Sequence, residues 1–342
     1  MAIISFRPKQ VSKKLLSVLK DRSFDVIANR YGLTDDSERK TLEAIGQKYG
    51  ITRERVRQIE NAALGAIRKS PSMEENQPVF DELKDVIEKL GFVVEEEELL
   101  NHIAKDKATQ NHIHLYLVLG DAFSKHKEDD HFKTRWAVEH QTVDKIHDAL
   151  GKLYESLGDD EIIPETKVIE KFLGHIKDLA EEHRDDEVVK RWLRISKKVG
   201  KNPLNEWGRA ESKNVKTRGV KDYTYLVMRK HGEPMHFREV AEAITKTFNR
   251  KTLAATTHNE LIKDARFVLV GRGRYALKEW GYKPGIVREV IASILKEHGP
   301  MNKDEVVDAV LKERFLKRNT ILVNLHNTKH FKKLKDGRYD NA

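Results

Sequence analysis

No cysteine occurs among the 342 residues, which removes disulfides, thiol catalysis and thiolate metal sites together. Aromatic residues are scarce at 7%, and hydrophobic residues reach only 39%. That composition suits several small helical units better than one large buried sheet. No apolar run approaches the roughly 18 residues that read as a membrane span. The opening MAIISFRPKQVSKK has only a short apolar start and lacks a signal-peptide core. The expectation is a soluble, cytoplasmic chain without membrane contact. At roughly 100–200 residues per domain the length implies two or three units, or more if they are small.

Net charge is also low, at +9, although 35% of residues are charged. The small value is a cancellation. Residues 1–70 carry 15 basic and 8 acidic side chains (+7), residues 71–190 carry 15 and 30 (−15), and residues 191–342 carry 34 and 17 (+17). Two basic ends around an acidic middle suggest that the ends face nucleic acid and the middle avoids it. Acidic runs such as Glu95–Glu98 also fit solvated helix ends.

Punctuation by proline and glycine divides the chain. Ser70-Pro71-Ser72 ends a first unit, residues 1–70, and the polar segment 71–79 reads as a linker. From Phe80, Leu83, Val86, Ile87 and Leu90 share a helical face stopped by Gly91. Short helices follow near Glu97–Ile103 and His114–Phe123, and HFKTRWAVE reads as a strand. Helices resume near Thr142, break at Gly158 and restart after Pro164, a favoured first-turn position for proline. The acidic middle, 80–210, is either two degenerate winged helices or a plain helical bundle. KKVGKNP at its end reads as a wing or linker.

The last third contains a repeat at a constant offset of 64. Thr256, Leu261, Phe267 and Gly273-Arg274-Tyr275 correspond to Thr320, Leu325, Phe331 and Gly337-Arg338-Tyr339. Each copy runs helix, turn, helix, helix, then an apolar strand closed by a basic glycine turn, the order of a winged helix. The units expected are 211–282 and 285–342, and Arg272, Arg274 and Arg338 are expected to contact phosphate from the wings. The fold class is therefore mainly α: a helix-turn-helix domain followed by tandem winged-helix-like modules with small β-wings.

The sharpest motif is TLEAIGQKYGITRERVRQIENAALGAIRK, Thr41–Lys69. Ile45, Val56 and Ile59 take the apolar positions of a helix-turn-helix, with small Gly46 where its helices approach. Gly50 supplies the left-handed turn, and Thr52 the N-cap. At 100° per residue, Val56, Ile59, Ala63 and Ile67 line the inner face of the second helix. Glu54, Gln58 and Asn61 lie opposite, with Arg57 beside them and Arg53 in the first turn. Arginine can donate twice to guanine, glutamine pairs with adenine, and glutamate accepts from cytosine. Arg55, on the flank, suits phosphate; Arg57 and Asn61 are further DNA contacts.

Residues 11–69 resemble region four of the major family of bacterial sigma factors, through RYGL at Arg30–Leu33, TLEAIG at Thr41–Gly46 and TRERVRQIE at Thr52–Glu60. The resemblance implies that this helix reads an upstream promoter hexamer, with base contacts from Arg53, Glu54 and Gln58. It also implies docking of the preceding helices on the polymerase β flap, where Leu15, Leu19, Phe24 and Ile27 are the apolar residues of the matching stretch. Only ten residues precede the unit, so the expectation is a duplex reader that does not melt promoters unaided. RGVKDYTYLVMRKHGEPMHFREVAEAI at Arg218–Ile244, with FVLVGRGRYAL, is similar to the HARE-HTH winged-helix domain. That domain occurs in the δ subunit of some bacterial RNA polymerases, in chromatin-associated proteins and beside restriction enzymes.

Other candidates fall away. Gly271-Arg272-Gly273-Arg274 opens no helix, so it is a wing turn and not a dinucleotide fingerprint. His112-Ile113-His114 lacks any supporting ligand pattern. The carboxylates at 95–98 and 181–187 are surface runs, not a positioned acid–base pair. Trp192, Trp207 and Trp280 are expected to pack between wing and helix. The chain reads as a non-enzyme with no metal, cofactor or small-molecule substrate. Its expected partners are double-stranded DNA and bacterial RNA polymerase. The rival readings are a δ-like polymerase-associated protein using the modules for protein contacts, and an architectural or defence-linked DNA binder.

Overall fold

The computed structural model describes residues 3–176, 185–282 and 284–342. It is mainly helical, with small antiparallel sheets. No helix among the described residues is long and apolar enough to cross a membrane. The chain divides into two compact units, Met1–Lys201 with Glu206–Glu211, and Asn202–Asn205 with Ser212–Ala342.

Unit 1 begins with four helices: α1 (Pro8–Leu16), α2 (Asp21–Tyr31), α3 (Leu42–Tyr49) and α4 (Arg53–Arg68). Pro8 stands in the first turn of α1, where its missing N–H costs no hydrogen bond. The segment 71–79, expected as a linker, is instead helical: α5 (Pro71–Glu75) and the start of α6 (Gln77–Lys89). Its two prolines occupy first-turn positions, so they start helices here and break none. Val79 is buried, which fixes the segment to the core.

The acidic middle then shows one connectivity twice. First come α6, β1 (Val93–Glu95), α7 (Glu96–Ile103), α8 (Lys107–Leu119), β2 (Ser124–His126) and β3 (Arg135–Ala137), with sheet order β1-β3-β2. Next come α9 (His140–Ser156), β4 (Ile162–Pro164), α10 (Glu165–His175), α11 (Asp186–Ile195), β5 (Val199–Lys201) and β6 (Glu206–Arg209), ordered β4-β6-β5. In each sheet the last strand lies in the middle, paired as Val94↔Trp136 and Ile163↔Trp207. That connectivity is winged-helix-like, and KKVGKNP supplies strand β5 of the second wing. Of the carboxylate run 181–187, residues 181–184 lie outside the described residues.

The apolar core of unit 1 crosses the expected boundary at residue 70. Leu15, Leu16, Ile27 and Ile67 belong to one buried cluster with Phe80, Leu83, Ile113 and Tyr116. A second cluster joins Val93 and Ala137 to Val168, Phe172, Val189 and Trp192. There Trp192 Nε1 donates to the Gly91 carbonyl at 2.8 Å. Trp192 and Trp207 are core side chains and Trp280 is half-buried.

Unit 2 repeats the order: α12 (Val220–His231), β7 (Met235–His236), α13 (Phe237–Phe248), α14 (Ala254–Lys263), β8 (Phe267–Gly271) and β9 (Arg274–Leu277), with sheet order β7-β9-β8. The final copy has α15 (Val287–His298), α16 (Lys303–Glu313), α17 (Arg318–Leu325), β10 (Phe331–Lys333) and β11 (Tyr339–Asn341). A single Met301↔Tyr339 bridge replaces its first strand. The wing turns of both copies carry a left-handed glycine, Gly273 (φ 66°) and Gly337 (φ 87°), which is why glycine stands there in the repeat.

Candidate nucleic-acid interface

The α3–α4 pair is built by its caps and its glycines. Thr41 Oγ1 accepts from the Ala44 amide at 3.1 Å and Thr52 Oγ1 from the Arg55 amide at 3.2 Å, so each helix start is capped by its own threonine. Gly50 holds φ +62° at the turn. A Cβ on Gly46 would stand 2.6 Å from the Ile51 carbonyl oxygen, so the turn closes only over glycine. Val26, Ile45 and Val56 form the small core beneath, supported by Leu42, Tyr49, Ile51 and Ile59. Arg30 Nε lies 3.4 Å from Glu60, tying α2 to α4.

Above that core, Arg53, Glu54, Arg55, Arg57, Gln58 and Asn61 are all exposed on α4. The structure therefore brings the six sequence-derived residues onto one accessible helix. They are not idle there. Arg57 forks onto Glu54 at 2.8 and 2.6 Å, and Arg55 Nη1 donates to Gln58 Oε1 at 3.1 Å. The hydrogen bond from Arg57 holds the Glu54 carboxyl below its ordinary range and lifts Arg57 in return. Glu54 thus stays a carboxylate, the acceptor form that a cytosine amino group requires. Pairs of this kind must be exchanged for base or phosphate contacts when DNA arrives.

The wing cations are placed less uniformly. Arg272 is exposed at its turn. Arg274 instead donates to the Pro234 carbonyl at 3.1 Å and lies 3.4 Å from Glu239. Arg338 is paired to Asp336 at 2.6 Å on an exposed turn. Also exposed, and not singled out as contacts from the sequence, are Lys317, Asn319 and Thr320 where α17 begins, and Lys332 and Lys333 on β10. The offset of 64 was the available signal. It aligns Lys317 with Leu253 and Asn319 with Ala255, a polar helix start against an apolar one.

The apolar residues of the first helices are mostly spent inside. Leu15 and Ile27 are fully buried, Leu19 packs partly buried against the same core, and Phe24 is 45% exposed. His112 and His114 face different neighbours: His112 Nδ1 meets Ser12 Oγ at 2.7 Å, and His114 Nε2 lies 3.5 Å from Glu96. Among the described residues no three histidine or carboxylate side chains are grouped to hold a metal.

With that geometry in view, the family comparisons divide the chain as its motifs do. Residues 15–69 match sigma-70, region 4. Residues 218–280 match HARE-HTH, a helix-turn-helix domain described in part by its occurrence with restriction endonucleases. RNA polymerase sigma factor SigA1 of Synechococcus elongatus is 56% identical over 54 residues, 16% of this chain and 13% of the relative. Sigma factor SigA of a Nostoc species is 54% identical over 56 residues, 16% of this chain and 14% of the relative. Sigma factor RpoD of Helicobacter pylori is 46% identical over 56 residues, 16% of this chain and 8% of the relative. The chain thus spans a small fraction of the curated relatives it matches. The sigma-70 region 4 unit and the HARE-HTH unit are both helix-turn-helix units of the DNA-binding kind.

Proposed function

We propose that this chain is a sequence-specific DNA-binding transcription regulator that reads a promoter-like duplex through α4 and works with bacterial RNA polymerase at the nucleoid. The observation that carries the reading is the exposed Arg53, Glu54 and Gln58 on a helix whose caps, turn glycine and inner face all suit a helix-turn-helix. Arg55, Arg57 and Asn61 add contacts at the flanks. Phosphate contacts from the wings come from exposed Arg272 and from Lys332 and Lys333, joined by Arg338 and Arg274 once these exchange their own-chain partners, Asp336 and Glu239, for phosphate. The likeness to sigma-70 region 4 supports the polymerase partnership, and of Leu15, Leu19, Phe24 and Ile27 it is Phe24 that stays exposed for a flap contact, with exposed Val18 nearby in sequence.

Selection of bound duplexes from a random pool with the full chain tests the base reading. Arg53→Ala and Gln58→Ala should each relax preference at one position, costing about 1–3 kcal/mol on the selected site. Equal losses on every sequence would overturn the assignment of base contacts. Binding should fall steeply with salt, because phosphate contacts release counterions. Co-purification with polymerase, reduced by Phe24→Ser, tests the partner.

A further inference from the structure

Within unit 2, β8 and the segment after α16 enclose a groove of about 840 Å³. Backbone joins its two walls: the Phe315 amide donates to the Val270 carbonyl at 2.7 Å, and a Cβ on Gly271 would stand 2.7 Å from the Phe315 oxygen. Four large apolar side chains reach it yet remain in solvent: Leu269 (52% exposed), Ile286 (55%), Leu311 (41%) and Phe315 (50%). Such a cluster of exposed apolar side chains marks an interaction site. Arg272, Arg274 and Lys317 stand around it, with Arg314 buried beneath, and no carboxylate among the described residues lines it.

We infer that this groove is a docking surface for an acidic amphipathic peptide segment of a partner protein. The charge decides the sign of the ligand: the charged residues described along the groove are all cations, so an acidic segment is attracted and a basic one repelled. The apolar residues decide its class. Three of the four are aliphatic, which suits leucine or phenylalanine side chains of a peptide; nucleic acid would be served by stacking aromatics along a phosphate track. Arg274, with its guanidinium 5.9 Å from the Phe315 ring centre, is fixed against the groove by its bond to Pro234. The inference does not depend on the DNA reading by α4.

The test uses the full chain and a labelled amphipathic peptide built from Glu and Leu, compared with a peptide of equal charge in which Ser replaces Leu. The Glu/Leu peptide should bind saturably and the Glu/Ser peptide should not. Leu269→Ser with Phe315→Ser should weaken binding about tenfold or more, since buried apolar anchors dominate such interfaces. Because both side chains are exposed, melting should be unchanged. Arg272→Glu with Lys317→Glu should weaken it independently, whereas Arg53→Ala should leave it intact while changing DNA selection. Absence of saturable peptide binding, or indifference to both double variants, would overturn the proposal. So would binding of a single-stranded or duplex oligonucleotide that is lost with Leu269→Ser and Phe315→Ser, which would assign the groove to nucleic acid.

Discussion

Helices α4 and α8 hold comparable positions, each the second helix of a helix-turn-helix pair and each with a side-chain N-cap, Thr52 and Asp106. They are used in opposite ways. α4 buries Val56, Ala63, Leu64 and Ile67 and leaves its first turns polar and exposed. α8 buries Gln110, Asn111, His112, Ile113, Leu115, Tyr116, Leu117 and Leu119. Its polar groups are turned into the chain: Ser12 Oγ meets Tyr116 Oη at 2.8 Å, and Asn111 Nδ2 donates to the carbonyls of Gly32 and Ser37 at 2.9 and 2.8 Å. Position in a helix-turn-helix therefore does not by itself make a reading helix. Here the first winged-helix-like module turns the second helix of its pair inward, against Ser12, Gly32 and Ser37 of the sigma-like unit.

The largest expected effect follows from that use. A fragment of residues 1–70 exposes Leu15, Leu16 and Ile67, whose buried neighbours include Ile113 and Tyr116. It should lose cooperative unfolding in a circular-dichroism melt, while residues 1–211, which contain all of unit 1, retain it. A 1–70 fragment that melts cooperatively would show that α8 is dispensable to α4. Next in size is Asn111→Ala. This side chain is fully buried, and its Oδ1 also accepts from Arg39 Nε at 2.7 Å. Leaving two carbonyls and a guanidinium short of partners should cost roughly 3 kcal/mol of stability, at 1–3 kcal/mol for each unsatisfied group with partial relaxation. Denaturant melts measure it, and the bases selected by the folded variant should not change.

The sequence disclosed α4 almost completely, because its signals are local. Capping threonines, a turn glycine and a 3.6-residue period all fall within Thr41–Lys69, so the exposed face of Arg53, Glu54 and Gln58 was legible without the fold. The role of α8 was not. Asn111 acts on Gly32 and Ser37 across more than seventy positions of chain, and no local pattern announces such a bond. The same limit explains the segment 71–79. Pro71 and Pro78 carry the local signal of a break, while the burial of Val79 that makes it a helix comes from residues elsewhere. In the wings, Gly273 and Gly337 were legible from the repeat, but the engagement of Arg274 by Pro234 depends on a turn forty residues away. Among the acidic stretches, half-buried Glu96 bonds Lys125, His114 and the buried Trp136, beyond what a solvated helix end would show.

The smallest expected effect separates the two helices by pH. α8 carries His112 and His114; α4 carries no histidine. Burial pushes His112 below its ordinary value, with the Lys9 charge acting the same way. Burial also lowers His114, although its hydrogen bond with Glu96 opposes the shift. Protonation is therefore easier in the unfolded chain than in the folded one. Above about pH 6.5, the ordinary histidine value, both states are neutral and the full stability is present. As pH falls below it the unfolded state takes up protons first, so the docking of α8 weakens. Melts of residues 1–211 should drop modestly from pH 7.5 to 5.5, and His112→Gln with His114→Gln should reduce that slope, the remainder falling to His102, His126 and His147, which burial also lowers. A slope unchanged by both substitutions would place the acid sensitivity outside α8. The exposed face of α4 would then share whatever governs the unit, and the contrast between the two helices would lose its chemical basis.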